Sequence, residues 1–83
     1  MYYIALFYSH FGAIRFTHSL PQGATAARLM PVPRSLSSSC GTCVRFEGPE
    51  NIIISRDEYQ EIEQVVKETE TGYVPILKAE DDG

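Results

Sequence analysis

Hydrophobic positions fall into a few short blocks along this chain, and the spacing within each block predicts an element. Tyr2 to Tyr8 is apolar or aromatic throughout. An unbroken run of that length predicts a strand covered on both faces, and so a central one. Ser9 supplies a side-chain oxygen for a helix N-terminus. The helix it opens is expected from about His10 to Leu20, with Phe11, Ile14, Thr17 and Leu20 on its inner side. Pro21 and Gly23 end it, while Gly12 weakens its first turn. Ala26 to Pro31 reads as a second, shorter strand. Pro31 and Pro33 have no N–H for a ladder and place that strand at a sheet edge.

Residues 34–42 are rich in Ser and Gly and predict a loop or a single helical turn. Cys43 to Glu47 alternates well enough for a third strand, which Asn51 to Ile54 either extends or follows as a short strand of its own. From Ser55 the apolar residues change period. Tyr59, Ile62, Val65 and Val66 recur at helical spacing, with Glu61, Glu63, Lys67 and Glu68 directed outward. Ser55 and Glu58 fit a capping box, and Gly72 suits a C-terminal cap. A second helix is therefore expected between them. Tyr73 to Lys78 is the last strand, marked as an edge by Pro75, and residues 79–83 read as a disordered acidic tail.

The resulting order, β-α-β-β-α-β, predicts an α+β fold of the ferredoxin-like, split βαβ kind. It would have a four-stranded antiparallel sheet with two helices on one face. Its second and fourth strands are edges, and those are the strands carrying proline. Eighty-three residues are enough for one domain, expected to span 1–83.

Charge refines this picture. All eleven carboxylates lie between Glu47 and Asp82. Residues 1–45 hold Arg15, Arg28, Arg34 and Arg45 with no acid, a charge of +4; the remainder sets Arg56, Lys67 and Lys78 against the eleven acids, giving −8. An acidic chain argues against nucleic acid as a partner, since that affinity rests on cations facing phosphates. An acidic solvated helix plus a tail accounts for much of the asymmetry. No apolar run reaches the ~18 residues of a membrane span, and the start lacks a basic, cleavable leader. A reducing cytoplasm is the expected setting, without a membrane partner.

In that compartment a close cysteine pair points to reactivity rather than to a disulfide scaffold. Cys40-Gly41-Thr42-Cys43 is such a pair. C-x-x-C spacing often lowers a thiol pKa, and Arg34 and Arg45 would add to that, with no carboxylate nearby in sequence. Ser37, Ser38, Ser39 and Gly41 are small enough to leave the Cys40 sulfur open, and their hydroxyl and N–H groups suit an anion. Cys43 also reads simply as the first buried residue of a strand. A thioredoxin-like site would put its first cysteine at a helix N-terminus after a strand, whereas this pair precedes a strand. Zinc wants about four ligands, and His10 and His18 are distant in sequence, so no metal site is expected within one chain. His18 suits a helix C-terminus without further chemistry. His10 would approach the Cys40 loop only if the first strand's C-terminal end faced it. Nothing calls for a cofactor.

The run Leu29-Met30-Pro31-Val32-Pro33-Arg34-Ser35-Leu36-Ser37-Ser38-Ser39-Cys40-Gly41, followed by Val44-Arg45-Phe46, resembles a family of short selenium/sulfur carrier-like proteins. Phe7-Tyr8-Ser9 and the helix after it fit the start of that family, so the resemblance is strong in the first half and rests on element order in the second. It implies a carrier in which Cys40 holds a persulfide or selenopersulfide, loaded by a protein donor and removed by a protein acceptor, with Arg34 helping to hold the anion. Cys43 stands where the family usually has an apolar residue. It is either without a role or a resolving thiol that would discharge Cys40 by forming a disulfide. An open sheet face would serve docking or a homodimer contact. The other reading is a non-catalytic binding or regulatory module whose cysteine is structural or redox-sensing.

Overall fold

The computed structural model describes residues 1–78, so the acidic tail expected at 79–83 lies outside the described residues. Five strands and one helix follow one another as β1 (Tyr2–Phe7), α1 (His10–His18), β2 (Thr25–Pro31), β3 (Thr42–Glu47), β4 (Ile62–Thr69) and β5 (Gly72–Leu77). They form one sheet in the order β2-β3-β1-β4-β5, with every neighbouring pair antiparallel.

The unbroken apolar run of β1 is explained by its central place. Tyr3, Ala5 and Phe7 face a cluster with Val44, Phe46, Ile62 and Val65, closed from above by Ala13 and Phe16 of α1. Ile4 and Leu6 face the opposite side with Cys43 and Val66, under Met30, Val32, Leu36 and Tyr73. Phe16 is the pivot of the first cluster, its ring 5.3–5.4 Å from those of Phe7, Phe46 and Tyr59. Burying such a ring is worth about 2–3 kcal/mol. Ser9 caps α1 as expected, its Oγ accepting the Gly12 N–H at 3.0 Å. Gly12 sits where the chain before β4 crosses the helix, and a Cβ there would come within 2.7 Å of Glu61 Cβ. Phe11, expected on the inner side, is 64% exposed; Ala13 and Phe16 take that side instead.

The ferredoxin-like expectation is overturned. The described residues form one short helix and five strands and are mostly β, not a four-stranded sheet under two helices. The residues expected to form the second helix split between an irregular crossover, 48–61, and strand β4. Tertiary context explains the misreading. Opposite β1, the pairing passes from Leu6↔Gln64 directly to Phe7↔Ile62, leaving Glu63 as an extra residue on β4. This bulge lets Ile62 and Val65, three residues apart, face the same cluster, which a regular strand forbids. Val66 then serves the other face, so the i, i+3, i+4 spacing imitates a helix. Gly72 closes the hairpin between β4 and β5 rather than capping a helix, its φ of +149 suiting glycine.

Because β3 and β4 both run antiparallel to β1, they are parallel to each other and need a crossover. Segment 48–61 makes it without a helix. Ile52, Ile54 and Tyr59 pack against the α1-side cluster. The Tyr3 hydroxyl donates to Pro49 O at 2.5 Å, and the Tyr59 hydroxyl to Ser19 O at 2.8 Å. Arg56 donates to the carbonyls of Ile62, Glu63 and Lys78. Among the described residues no helix is long and apolar enough to cross a membrane.

Candidate functional site

Cys40 lies on the long connection between β2 and β3, two residues before β3 begins. The ladder of those strands continues past Pro31↔Thr42 to a Val32 N–H···O Gly41 bond of 3.2 Å, which closes the connection at its base. Gly41 turns the chain there with φ +75, and among the described residues beyond its chain neighbours nothing stands within 4 Å of where its Cβ would be. The space beside Gly41 is therefore open. Cys40 itself is half-buried, packed at the margin of the α1-side cluster, with its thiol donating to Thr42 O at 3.3 Å.

The stretch before Cys40 is pinned to the sheet. Ser38 Oγ donates to Phe7 O, the last residue of β1, at 3.0 Å. The Ser39 N–H donates to Glu63 Oε1 at 3.0 Å, and the Ser38 hydroxyl lies 3.5 Å from the same oxygen. The bulge on β4 thus aims a carboxylate at the Cys40 loop, a use to which bulges are often put. Two features of the sequence reading change with this. The Ser38 hydroxyl and Ser39 N–H, expected to receive an anion, are engaged by Phe7 and Glu63. The loop, which has no carboxylate near it in sequence, has Glu63 beside it in space. Glu63 was not legible as a neighbour of Cys40, because contact depends on the bulge and on β4 lying next to β1.

C-x-x-C spacing does not put the two cysteines in one environment. Both are free thiols. Cys40 sits with the α1-side cluster, whereas Cys43 is fully buried in the cluster on the other face. Burial above all, with a smaller push from a charge on Cys40, moves the Cys43 thiol up to about 11. Its sulfur lies 3.6 Å from Pro31 O. Cys43 is in the position of a core residue.

The arginines are also disposed differently from the expectation. Arg45 projects on the Cys43 side of β3, where it forms a two-pronged ion pair with Glu68, at 2.6 and 3.3 Å, and lies 3.9 Å over the Tyr2 ring. Arg34 is exposed on the loop, without a hydrogen bond or ion pair among the described residues. The first strand's C-terminal end does face the Cys40 loop. It brings His10 to β3, with Nδ1 3.1 Å from Thr42 Oγ1. His18 is at the far end of α1, on the rim of a cleft of about 620 Å³ between the helix and residues 57–62, floored by Phe7, Phe16 and Ile62. Cys40 does not line that cleft. Among the described residues no three His, Cys, Asp or Glu side chains gather as a metal site would require.

A family model described as "Putative Se/S carrier protein-like" matches residues 2–78. The match takes in the second half of the chain as well as the half in which the sequence motifs lie. No curated protein and no solved structure matches this chain.

Proposed function

The chain belongs to this Se/S carrier protein-like family, and from that membership we propose that it carries sulfur or selenium on Cys40 between protein partners. The observation that carries the reading is the contrast between the two thiols. Cys40 is partly exposed on a pinned loop, while Cys43 is sealed in the core. A carrier needs one accessible sulfur held in place, and a second accessible thiol would discharge it.

In loading, the Cys40 sulfur attacks the outer sulfur of a donor persulfide, R–S–SH. A new S–S bond forms on Cys40, the donor's S–S bond breaks, and the donor leaves as R–SH after taking up the proton that Cys40 released. No net oxidation occurs. Unloading is the same exchange with an acceptor thiol as attacker, and a selenopersulfide follows the same course.

The thiol's bond to Thr42 O and its packing against the cluster favour the second reading, a structural or redox-sensing cysteine. Intact-mass analysis after exposure to a small persulfide donor separates the two. The expected result is one added sulfur on the wild type and on Cys43→Ala, and none on Cys40→Ser, with the fold unchanged in all three. A wild-type chain that takes up no sulfur, or a Cys40→Ser chain that does not fold, would favour the structural cysteine.

A further inference from the structure

An anionic sulfur on Cys40 calls for a nearby positive charge, and neither arginine singled out in the sequence provides it through a contact. Arg45 is committed to Glu68 and Tyr2 on the other face. Among the described residues, the bonded connection from Cys40 to a group able to carry positive charge runs through Thr42. The Thr42 carbonyl accepts from the Cys40 thiol at 3.3 Å, and the Thr42 hydroxyl lies 3.1 Å from His10 Nδ1.

We propose that His10 is a positioning residue for Cys40, bringing to Thr42 the positive charge that favours an anionic sulfur, so that sulfur exchange there depends on pH. The inference rests on the carrier reading for the nature of the cargo. Histidine is the side chain whose ordinary change of charge falls between about pH 5 and 8. A threonine hydroxyl can serve both of its states. It accepts from Nδ1–H of the imidazolium, and it donates to bare Nδ1 of the neutral ring. The contact is therefore compatible with either charge state of an imidazole ring.

The Thr42 carbonyl, which accepts from the thiol, itself favours the protonated sulfur, so the charge on His10 has to act against that bond as well. Other charges around the site act in both directions. Glu63, against Ser38 and Ser39, favours the imidazolium and opposes an anion on Cys40. Glu61 also favours it, though it is paired with Arg15 further along α1 at 3.1 Å. The α1 N-terminus, where His10 is the first residue, opposes a cation and favours an anion. Cys43, buried and protonated, contributes no charge at neutral pH. A persulfide on Cys40 is the anion these groups would share.

The test uses the full chain in a Cys43→Ala background, with His10, His10→Gln and His10→Lys compared between about pH 5 and 8. Two rates are read: alkylation of Cys40 by iodoacetamide and sulfur loading from a small persulfide. With His10 the alkylation rate is expected to exceed that of His10→Gln at the acid end by about three- to tenfold, the size expected of one charge acting at two contacts' remove near solvent. The excess should vanish toward the alkaline end. His10→Lys should keep the excess across the range, because its charge does not titrate there. Thr42→Val, which removes the hydroxyl, should behave as His10→Gln. Superimposable profiles for His10 and His10→Gln would overturn the inference, as would a Thr42→Val chain that keeps the full His10 effect. If alkylation follows His10 but no sulfur is retained, the carrier reading fails and the His10 inference stands. If sulfur is retained with no effect of His10, the reverse holds.

Discussion

Cys43 keeps its proton well into the alkaline range because its sulfur is buried with Ile4, Leu6 and Val66, which moves its titration from 9.0 up to about 11. Between those values an unfolded chain gives up the proton and the folded chain retains it. The folded state then binds more protons, so stability falls as pH rises. The contribution is whole below the unfolded thiol's range and is lost progressively up to about 11. Tyr3 and Tyr59, both raised mainly by burial, push in the same direction at higher pH. Cys43→Val separates the thiol from the tyrosines. It fills nearly the same space, so below pH 9 its cost should be under about 1.5 kcal/mol. Denaturant midpoints should fall more steeply for the wild type than for Cys43→Val between about pH 9 and 11. Parallel curves would mean that Cys43 gives up its proton in the fold as readily as outside it. The residue-level reading of Cys43 as the buried start of a strand was available from alternation alone, since Val44 and Phe46 mark the opposite face. The identity of its neighbours was not, because it depends on which strands lie alongside.

One residue in β4 does two jobs at the level of the element. As the bulge, Glu63 turns Ile62 and Val65 to a common face, and its carboxylate holds the Ser39 N–H and approaches the Ser38 hydroxyl. Replacing it with alanine should leave the bulge, which belongs to the backbone register, and remove the tether. Loss of one exposed bond should change global stability by no more than about 0.5–1.5 kcal/mol. The loop should respond much more. In Glu63→Ala, the Ser39 amide should lose its protection from hydrogen exchange, and protease should cut within 33–41 faster than in the wild type. Unchanged exchange at Ser39 would mean that the Val32–Gly41 closure and the Ser38–Phe7 bond suffice to hold the loop. The same bulge marks the limit of what spacing could reveal. β1, α1, β2, β3 and the final strand were legible because each follows one period with a cap, glycine or proline at its end. β4 was not, since a bulge converts a period of two into an apparent period near three and a half. The β-branched content of Ile62, Val65, Val66 and Thr69 was the available counter-signal. Phe11 was misassigned for a related reason. The short helix α1, nine residues long, offers apolar residues on more than one face, and its packing on the sheet and segment 48–61 decides which is covered.

Across the whole molecule, sheet order turns a division of charge in sequence into a division in space. β2 and β3, from the part of the chain dominated by arginine, lie to one side of β1; β4 and β5, from the acid-rich part, lie to the other. Among the described residues two ion pairs join the parts: Arg15–Glu61 over the α1 face and Arg45–Glu68 over the opposite one. The second is the closer and better covered. Arg45 on β3 reaches over Tyr2 of β1 to Glu68 on β4 with two nitrogens, and the Tyr2 ring beneath it adds a cation–π contact. Both side chains are about two-thirds covered, at 38% and 30% exposure, so the pair is screened less than one on an open surface. A double-mutant cycle of Arg45→Met and Glu68→Gln should give a coupling of about 0.5–1.5 kcal/mol, above the usual surface pair because of the two-pronged geometry. Near 1 M salt, where screening acts over ~3 Å, the coupling should shrink but persist. Zero coupling at low salt would show that β1 is held between β3 and β4 by its ladders and apolar faces alone, with the charge division leaving no imprint on stability. A coupling of the expected size would make Arg45 a strut between the two parts of the sheet. That would account for its place on the face away from Cys40 and leave the charge at the thiol to His10.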